Sequence, residues 1–341
     1  MRVLLIGGSG FIGPYLARTL EQQGHEVIVF HRGRSPVRHQ IIGDRRALGE
    51  HAGALRAAAP DVVIDLILSS GAQARELMRL FRGGTSRVIA LSSCDVYRAC
   101  GVLHGSEPGP LEPVPLTESS ALRTNLQTYP PDRIRMLQQV FGWLDEEYDK
   151  IPVEREILGD PELPGTVLRL PMVYGPGDPL RRFLPVVQRV DDRRPAILFE
   201  EKYARWRGPH GYVENVAAAI ALAAVEPRAA GRVYNVGEAE TLTELEWAGR
   251  IASAAGWDGR IVTLPAERTP AHLLMPGNID QHWTIDTTRI REELGYREVI
   301  AQADAFRRTI EWERANPTSS SPHVFDYDAE DAALRGETCG R

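Results

Sequence analysis

From the start of the chain to residue 93, short apolar runs rich in β-branched residues alternate with stretches whose apolar positions recur every three or four residues. RVLLIG at 2–7 is apolar without interruption after its first residue, as a strand covered on both faces requires. Residues 11–23 set Ile12, Leu16 and Leu20 on one helical face. EVIVF at 26–30, HQIIGD at 39–44, DVVIDLIL at 61–68 and RVIALSS at 87–93 read as further strands, with helices over 46–59 and 72–82. Strands alternating with helices predict an α/β fold built on a doubly wound parallel sheet.

Residues 101–131 break this rhythm. Pro108, Pro110, Pro113, Pro115, Pro130 and Pro131 predict a long loop, of the kind that serves as a lid or a substrate loop. A long helix is expected from about 132 to 158, then a strand within TVLRLPMVYGPGDP at 166–179. Helices over 213–225, 242–255, 287–294 and 301–315 follow, mixed with short strands such as RVYNVG. The tail after Pro317 is Ser-rich and then acidic; it is either disordered or docks through FDYDAEDAAL as a helix. The expected division is a larger α/β domain over 1–170, to which later chain returns, a smaller C-terminal α/β substrate domain over 171–316, and a polar tail over 317–341.

Composition narrows the function classes. The 341 residues carry a net charge of −6, so no global basic field recruits nucleic acid or an anionic membrane. No apolar run approaches the length of a membrane span, and no secretory leader pattern precedes the first strand. Cys94, Cys100 and Cys339 form no CxxC pair and no zinc spacing, so neither a metal site nor a disulfide framework is expected. A reduced, cytoplasmic setting is expected. Lys150 and Lys202 are the only lysines among 40 Lys and Arg, which makes each of them conspicuous.

The strongest chemical signal is IGGSGFIG. Gly7, Gly10 and Gly13 stand between a strand and a helix, where a tight turn lets backbone approach a pyrophosphate and the helix N-terminus offers free N–H groups. This predicts a Rossmann dinucleotide site, with Phe11 and Ile12 in the same turn. The second strand ends in His31, Arg32, Gly33 and Arg34 rather than in an acid for the ribose 2′-hydroxyl. Arginine pairs with a 2′-phosphate and stacks on adenine, so NADP is favoured over NAD. Asp44 is placed to accept from the adenine amino group or, equally, to cap the following turn.

GxxGxxG at the N-terminus, GDR at 43–45, LSSCDVY at 91–97, KIPVE at 150–154, LRLPMVYGPGDP at 168–179 and GRVYNVG at 231–237 occur in that order. Together they resemble the extended short-chain dehydrogenase/reductase superfamily, that is, the NAD-dependent epimerase/dehydratase family, over roughly residues 1–316. The resemblance implies a small-molecule substrate, often a nucleotide-sugar, and a homodimer formed through two long helices per subunit. It assigns Ser93 to the reacting hydroxyl or carbonyl and Lys150 to the nicotinamide ribose. Pro171, Met172 and Val173 fall to the cofactor. Asp95 stands where dehydratases of the family carry an acid, and Arg207 lies near a position that often holds a substrate diphosphate, with Tyr212 close by. Trp206 and Trp283 are candidates for stacking on a ring, and Arg169 for tying a strand end to a loop.

The family's acid/base is a tyrosine four residues before the lysine, whose charge lowers the tyrosine pKa. Here that position is Glu146, and Tyr148 stands two before Lys150. On a regular helix a residue two positions away points to the opposite side. Three arrangements remain open: a distorted helix start that brings Tyr148 to the site, Glu146 as the base, or no standard base. Tyr129, four before Arg133, has the spacing but sits beside two prolines. The expected function is NAD(P)-dependent hydride transfer on a sugar-nucleotide or related polyol or carbonyl substrate. The alternative is a non-catalytic NADP-binding regulator or an RNA-associated protein.

Overall fold

The computed structural model describes residues 1–33, 39–127, 129–318 and 323–336. Its strands are β1 (Arg2–Ile6), β2 (Glu26–His31), β3 (Gln40–Ile42), β4 (Val62–Asp65), β5 (Arg87–Ser93), β6 (Gly165–Leu170), β7 (Met172–Tyr174), β8 (Ala196–Glu200), β9 (His210–Tyr212), β10 (Val233–Asn235) and β11 (Arg260–Leu264). Seven of them form one sheet in the order β10-β6-β5-β4-β1-β2-β3, every pairing parallel. This is the doubly wound Rossmann sheet, and its order reverses at β1. Two small parallel pairs, β8 with β11 and β7 with β9, build the rest.

The pleat sorts the core into two layers. Val3 and Leu5 pack on one side with Leu16, Leu20 and the alanine-rich helix Val213–Val225. Leu4 and Ile6 pack on the other with Leu77 and Phe81 of the helix Gly71–Phe81 and with Val153 and Ile157. Register aligns the carboxyl ends: Ile6 stands beside Phe30 and Asp65, and Ser93 beside Leu170. In open α/β sheets that edge, at the reversal of strand order, is where ligands bind.

The long helix expected over 132–158 is two helices, Pro131–Val140 and Lys150–Leu158, separated by a non-helical segment. Pro152 is the reason. It lacks an N–H, and in a continuous helix its ring would strike the carbonyl of Tyr148, so it is tolerated only in a first turn. Asp149 caps the second helix, its side chain accepting from Ile151 N at 2.7 Å. Other elements are shorter than expected. The apolar run 61–68 forms a ladder only over Val62–Asp65, and 46–59 is a tight turn over Arg45–His51 followed by the helix Ala52–Ala57. Within the long loop, residues Arg98–Leu103 are helical.

The tail docks as the helix Tyr327–Arg335. Ala333 packs on Ala196, Leu198 and Leu264, and the buried Glu330 pairs with Arg189 and His272.

Under the strand ends lies a buried ion pair. Arg169 Nε and Nη2 donate to Glu154 at 2.9 and 2.7 Å, and Ser92 Oγ donates to the same carboxylate at 2.5 Å. Removing one partner leaves a buried charge uncompensated. Glu154→Ala is expected to destabilise the protein by about 3–5 kcal/mol. Glu26→Ala, at the exposed pair with Arg2, should cost less than about 1 kcal/mol. Urea denaturation of the two variants checks the contrast.

Candidate active site

The turns after β1, β2 and β4 line a cleft of about 630 Å³. Gly7 leaves β1 at φ +81°, a conformation that favours glycine, and an added Cβ would stand 2.8 Å from Ile67 Cγ2. At Gly13 a Cβ would lie 2.1 Å from the Gly8 carbonyl oxygen, so helix and turn pack backbone on backbone. Gly10 N donates to Gly7 O at 3.0 Å and closes the turn. The N-cap Ile12 supplies no side-chain acceptor, so the first-turn N–H groups of the helix Gly13–Gln22 stay available where Gly10–Gly13 line the cleft. This uncapped, side-chain-free cradle fits a pyrophosphate.

His31, Arg32 and Asp44 line the same cleft. His31 Nε2 pairs with Gln40 Oε1 at 2.8 Å, and Arg32 is exposed. Arg34 lies outside the described residues. Asp44 accepts from Arg46 N at 2.9 Å, so it caps its turn while bordering the cleft. Below it, buried Arg45 donates to Asp65 Oδ2 at 2.7 Å and braces β4. Phe141, Gly142 and Trp143, from the break between the two helices, supply a further wall that sequence reasoning missed. Arg46 Nη2 holds that wall by donating to Gly142 O at 2.8 Å.

A second chamber, of about 860 Å³, adjoins the first; Phe11, Ile12, Leu66, Phe141 and Trp143 line both. Ser93, Asp95, Tyr148 and Lys150 converge here. Ser93 ends β5, and its Oγ accepts from Asp95 N at 3.2 Å. Lys150 is buried, and its Nζ donates to the carbonyls of Leu68 and Leu91, the latter at 3.1 Å. Burial lowers its pKa to about 8, against the opposing pull of Asp95 and Asp65.

Because the helix starts only at Lys150, Tyr148 lies on non-helical chain, with its ring centre 5.5 Å from Lys150 Nζ. Tyr148 OH donates to Asp95 Oδ2 at 3.1 Å. Tyr129 stacks on Tyr148 at 6.3 Å between ring centres, and its OH donates to the same oxygen at 3.4 Å. Burial, then the Asp95 charge, pushes Tyr148 well above the usual phenol range. The expected lowering of this tyrosine by the lysine is therefore not what the geometry gives. Burial also raises Asp95, opposed by Arg123 and Lys150. Asp95 Oδ1 has no hydrogen-bond partner among the described residues.

Glu146 does not join this group. It is exposed and lines neither space, since no helical turn connects it to Lys150. Pro171 and Val173 line the chamber with Met172. Arg207 and Tyr212 do not. Arg207 donates to the Thr241 carbonyl and lies 3.7 Å from Glu246, while Tyr212 is sealed against Tyr174 with its OH donating to Glu214 at 3.0 Å. Trp206 and Trp283 line the chamber, although each indole N–H donates to a backbone carbonyl.

Residues 3–237 match the NAD dependent epimerase/dehydratase family. The chain is 27% identical over 277 residues to 2′-dehydrokanamycin reductase of Streptomyces kanamyceticus, covering 78% of this chain and 70% of that protein. It is 34% identical over 146 residues to a dTDP-glucose 4,6-dehydratase of Streptomyces niveus, covering 42% and 40%. Its fold is similar to that of a dTDP-glucose 4,6-dehydratase of Bacillus anthracis in complex with NAD, with a TM-score of 0.66, 16% identity, and coverage of 93% and 97%. With a match running from the first strand through the last strand of the main sheet, this chain belongs to the NAD dependent epimerase/dehydratase family of enzymes.

Proposed function

We propose that the enzyme moves a hydride between a nicotinamide dinucleotide and a carbonyl or secondary alcohol of a polyol-like or related carbonyl substrate, working chiefly as a reductase. The observation that carries this is the convergence of Ser93, Tyr148, Asp95 and Lys150 where the dinucleotide cleft meets the second chamber. The dinucleotide supplies the hydride when bound. Gly7, Gly10 and Gly13 hold its pyrophosphate, and Lys150 faces its ribose. His31 and Arg32, with no acid at the end of β2, favour NADP.

The protonation states support the reductive direction. A phenol held far above neutrality keeps its proton and is a donor rather than a base. As negative charge grows on the carbonyl oxygen, Tyr148 OH gives that oxygen its proton, and Ser93 Oγ–H donates to it. Asp95 stands behind Tyr148 and accepts from its OH at 3.1 Å, which holds the phenol in place. Arg123 keeps Asp95 in place through its carbonyl, with Nε donating at 2.6 Å.

Three outcomes are expected. Gly13→Val should abolish dinucleotide binding measured by calorimetry, because the side chain has no room against Gly8. Tyr148→Phe should lower kcat about 10²–10⁴-fold with little change in cofactor affinity. For Lys150, the folded pKa of about 8 lies below the ordinary 10.5, so between those values the unfolded chain binds the extra proton. Stability should then rise with pH across that window, by on the order of 3 kcal/mol. Lys150→Met should flatten the rise in urea midpoints.

A further inference from the structure

The chamber beside the dinucleotide cleft is badly equipped for a phosphate. All but one of its arginines and lysines are engaged: Arg182 Nη1 donates to Asp178 Oδ1 at 2.7 Å and to Val173 O at 2.8 Å. Buried Arg189 is paired with Glu330, its Nη1 donating to Pro185 O at 2.7 Å. Lys150 lies under backbone carbonyls. His210 lies flat against Trp247, ring centres 3.9 Å apart, and burial drives its pKa to about 3, so it carries no charge near neutrality. His272 and His323 are held by Glu330 and by the Leu180 carbonyl. Arg133 forms no ion pair among the described residues, but it is exposed and its charge acts on Tyr129 and His104, at the reacting end.

The wall built by β9 and the helices Glu201–Arg205 and Glu244–Ala254 is aromatic: half-buried Tyr203 is backed by the buried Trp206, His210 and Trp247. One acid stands in it. Glu244 Oε2 accepts from Tyr203 OH at 3.3 Å, and Glu244 Oε1 has no hydrogen-bond partner among the described residues. No cation pairs with this carboxyl, and burial lifts its pKa to about 7. A diphosphate placed here would lose water, meet neutral rings and face a carboxyl rather than the bidentate arginine it needs. An aromatic or alicyclic body with an N–H or O–H group meets every feature of the wall.

We propose that the substrate is phosphate-free: a ring-bearing ketone or alcohol whose apolar body lies on the half-buried Tyr203 of that wall and whose amine or hydroxyl donates to Glu244. This rests on the hydride-transfer reading and names the substrate class for it.

The test is calorimetric titration of NADP-saturated protein with acetophenone, 4-aminoacetophenone and UDP-glucose. Both ketones should bind, the amino compound about tenfold more tightly, as one hydrogen bond to a carboxyl allows. UDP-glucose should give no saturable heat up to about 1 mM. Glu244→Leu should retain acetophenone and erase the tenfold preference. If that variant does not fold, the isosteric Glu244→Gln should cut the preference at least about threefold. Saturable binding of UDP-glucose, failure of both ketones to bind, or a preference that survives substitution at Glu244 overturns the proposal. NADP affinity, measured first on the same sample, tests the dinucleotide reading alone. Its absence sinks that reading, whereas a holoenzyme that takes UDP-glucose sinks only the substrate class.

Discussion

Pro152 cannot sit four residues after a helical carbonyl, and the candidate site is arranged around that prohibition. The helix that carries Lys150 must begin at Lys150, so the chain before it is released from helical geometry. Asp149 becomes the cap, and its carboxylate also takes Arg123 Nη2 at 2.9 Å. Tyr148, freed from the helical angle, reaches Asp95. The released segment also places Phe141 and Trp143 between the two cavities. A tyrosine two positions from Lys150 thus comes to lie beside it, its ring centre 5.5 Å from Lys150 Nζ.

The electrostatics of that centre differ from a lysine-activated phenol. Two tyrosines share one carboxylate oxygen, and that carboxylate is itself buried. Lys150 donates its hydrogen bonds to backbone carbonyls rather than to a phenol oxygen. Burial and the neighbouring Asp95 charge keep the proton on Tyr148 instead of stripping it away.

Much of the framework could be read from residue pattern alone. Apolar strand runs covered on both faces, the glycine turn and the order of motifs depend on local chemistry, and local chemistry is written in consecutive residues. The edges of elements were less legible: 61–68 is apolar throughout, yet only Val62–Asp65 has a partner strand at hand. The active site was legible where side chains ride on strand ends, as with Ser93 and Asp95. It was obscured where a loop supplies them, as with Tyr129 and Trp143, because no periodicity records where a loop returns. Pro152 was visible, and its meaning for the helix boundary was the signal that went unused. Arg207 and Tyr212 resist prediction for another reason: both are polar residues near the right place, and only the tertiary packing shows that Thr241 and Glu214 already engage them.

The docked C-terminal helix has a consequence for assembly. Glu330 is fully buried and grips Arg189 and His272, two side chains that border the chamber, while His323 holds the backbone at Leu180 and Arg181. The chamber wall is therefore a joint between segments 58 and 141 residues apart in sequence, made by the last described helix. All seven strands of the main sheet, β10 included, precede Glu330 in the chain. The sequence of the nucleotide cradle is therefore complete in the chain before the residue that closes the chamber wall, Glu330, is added.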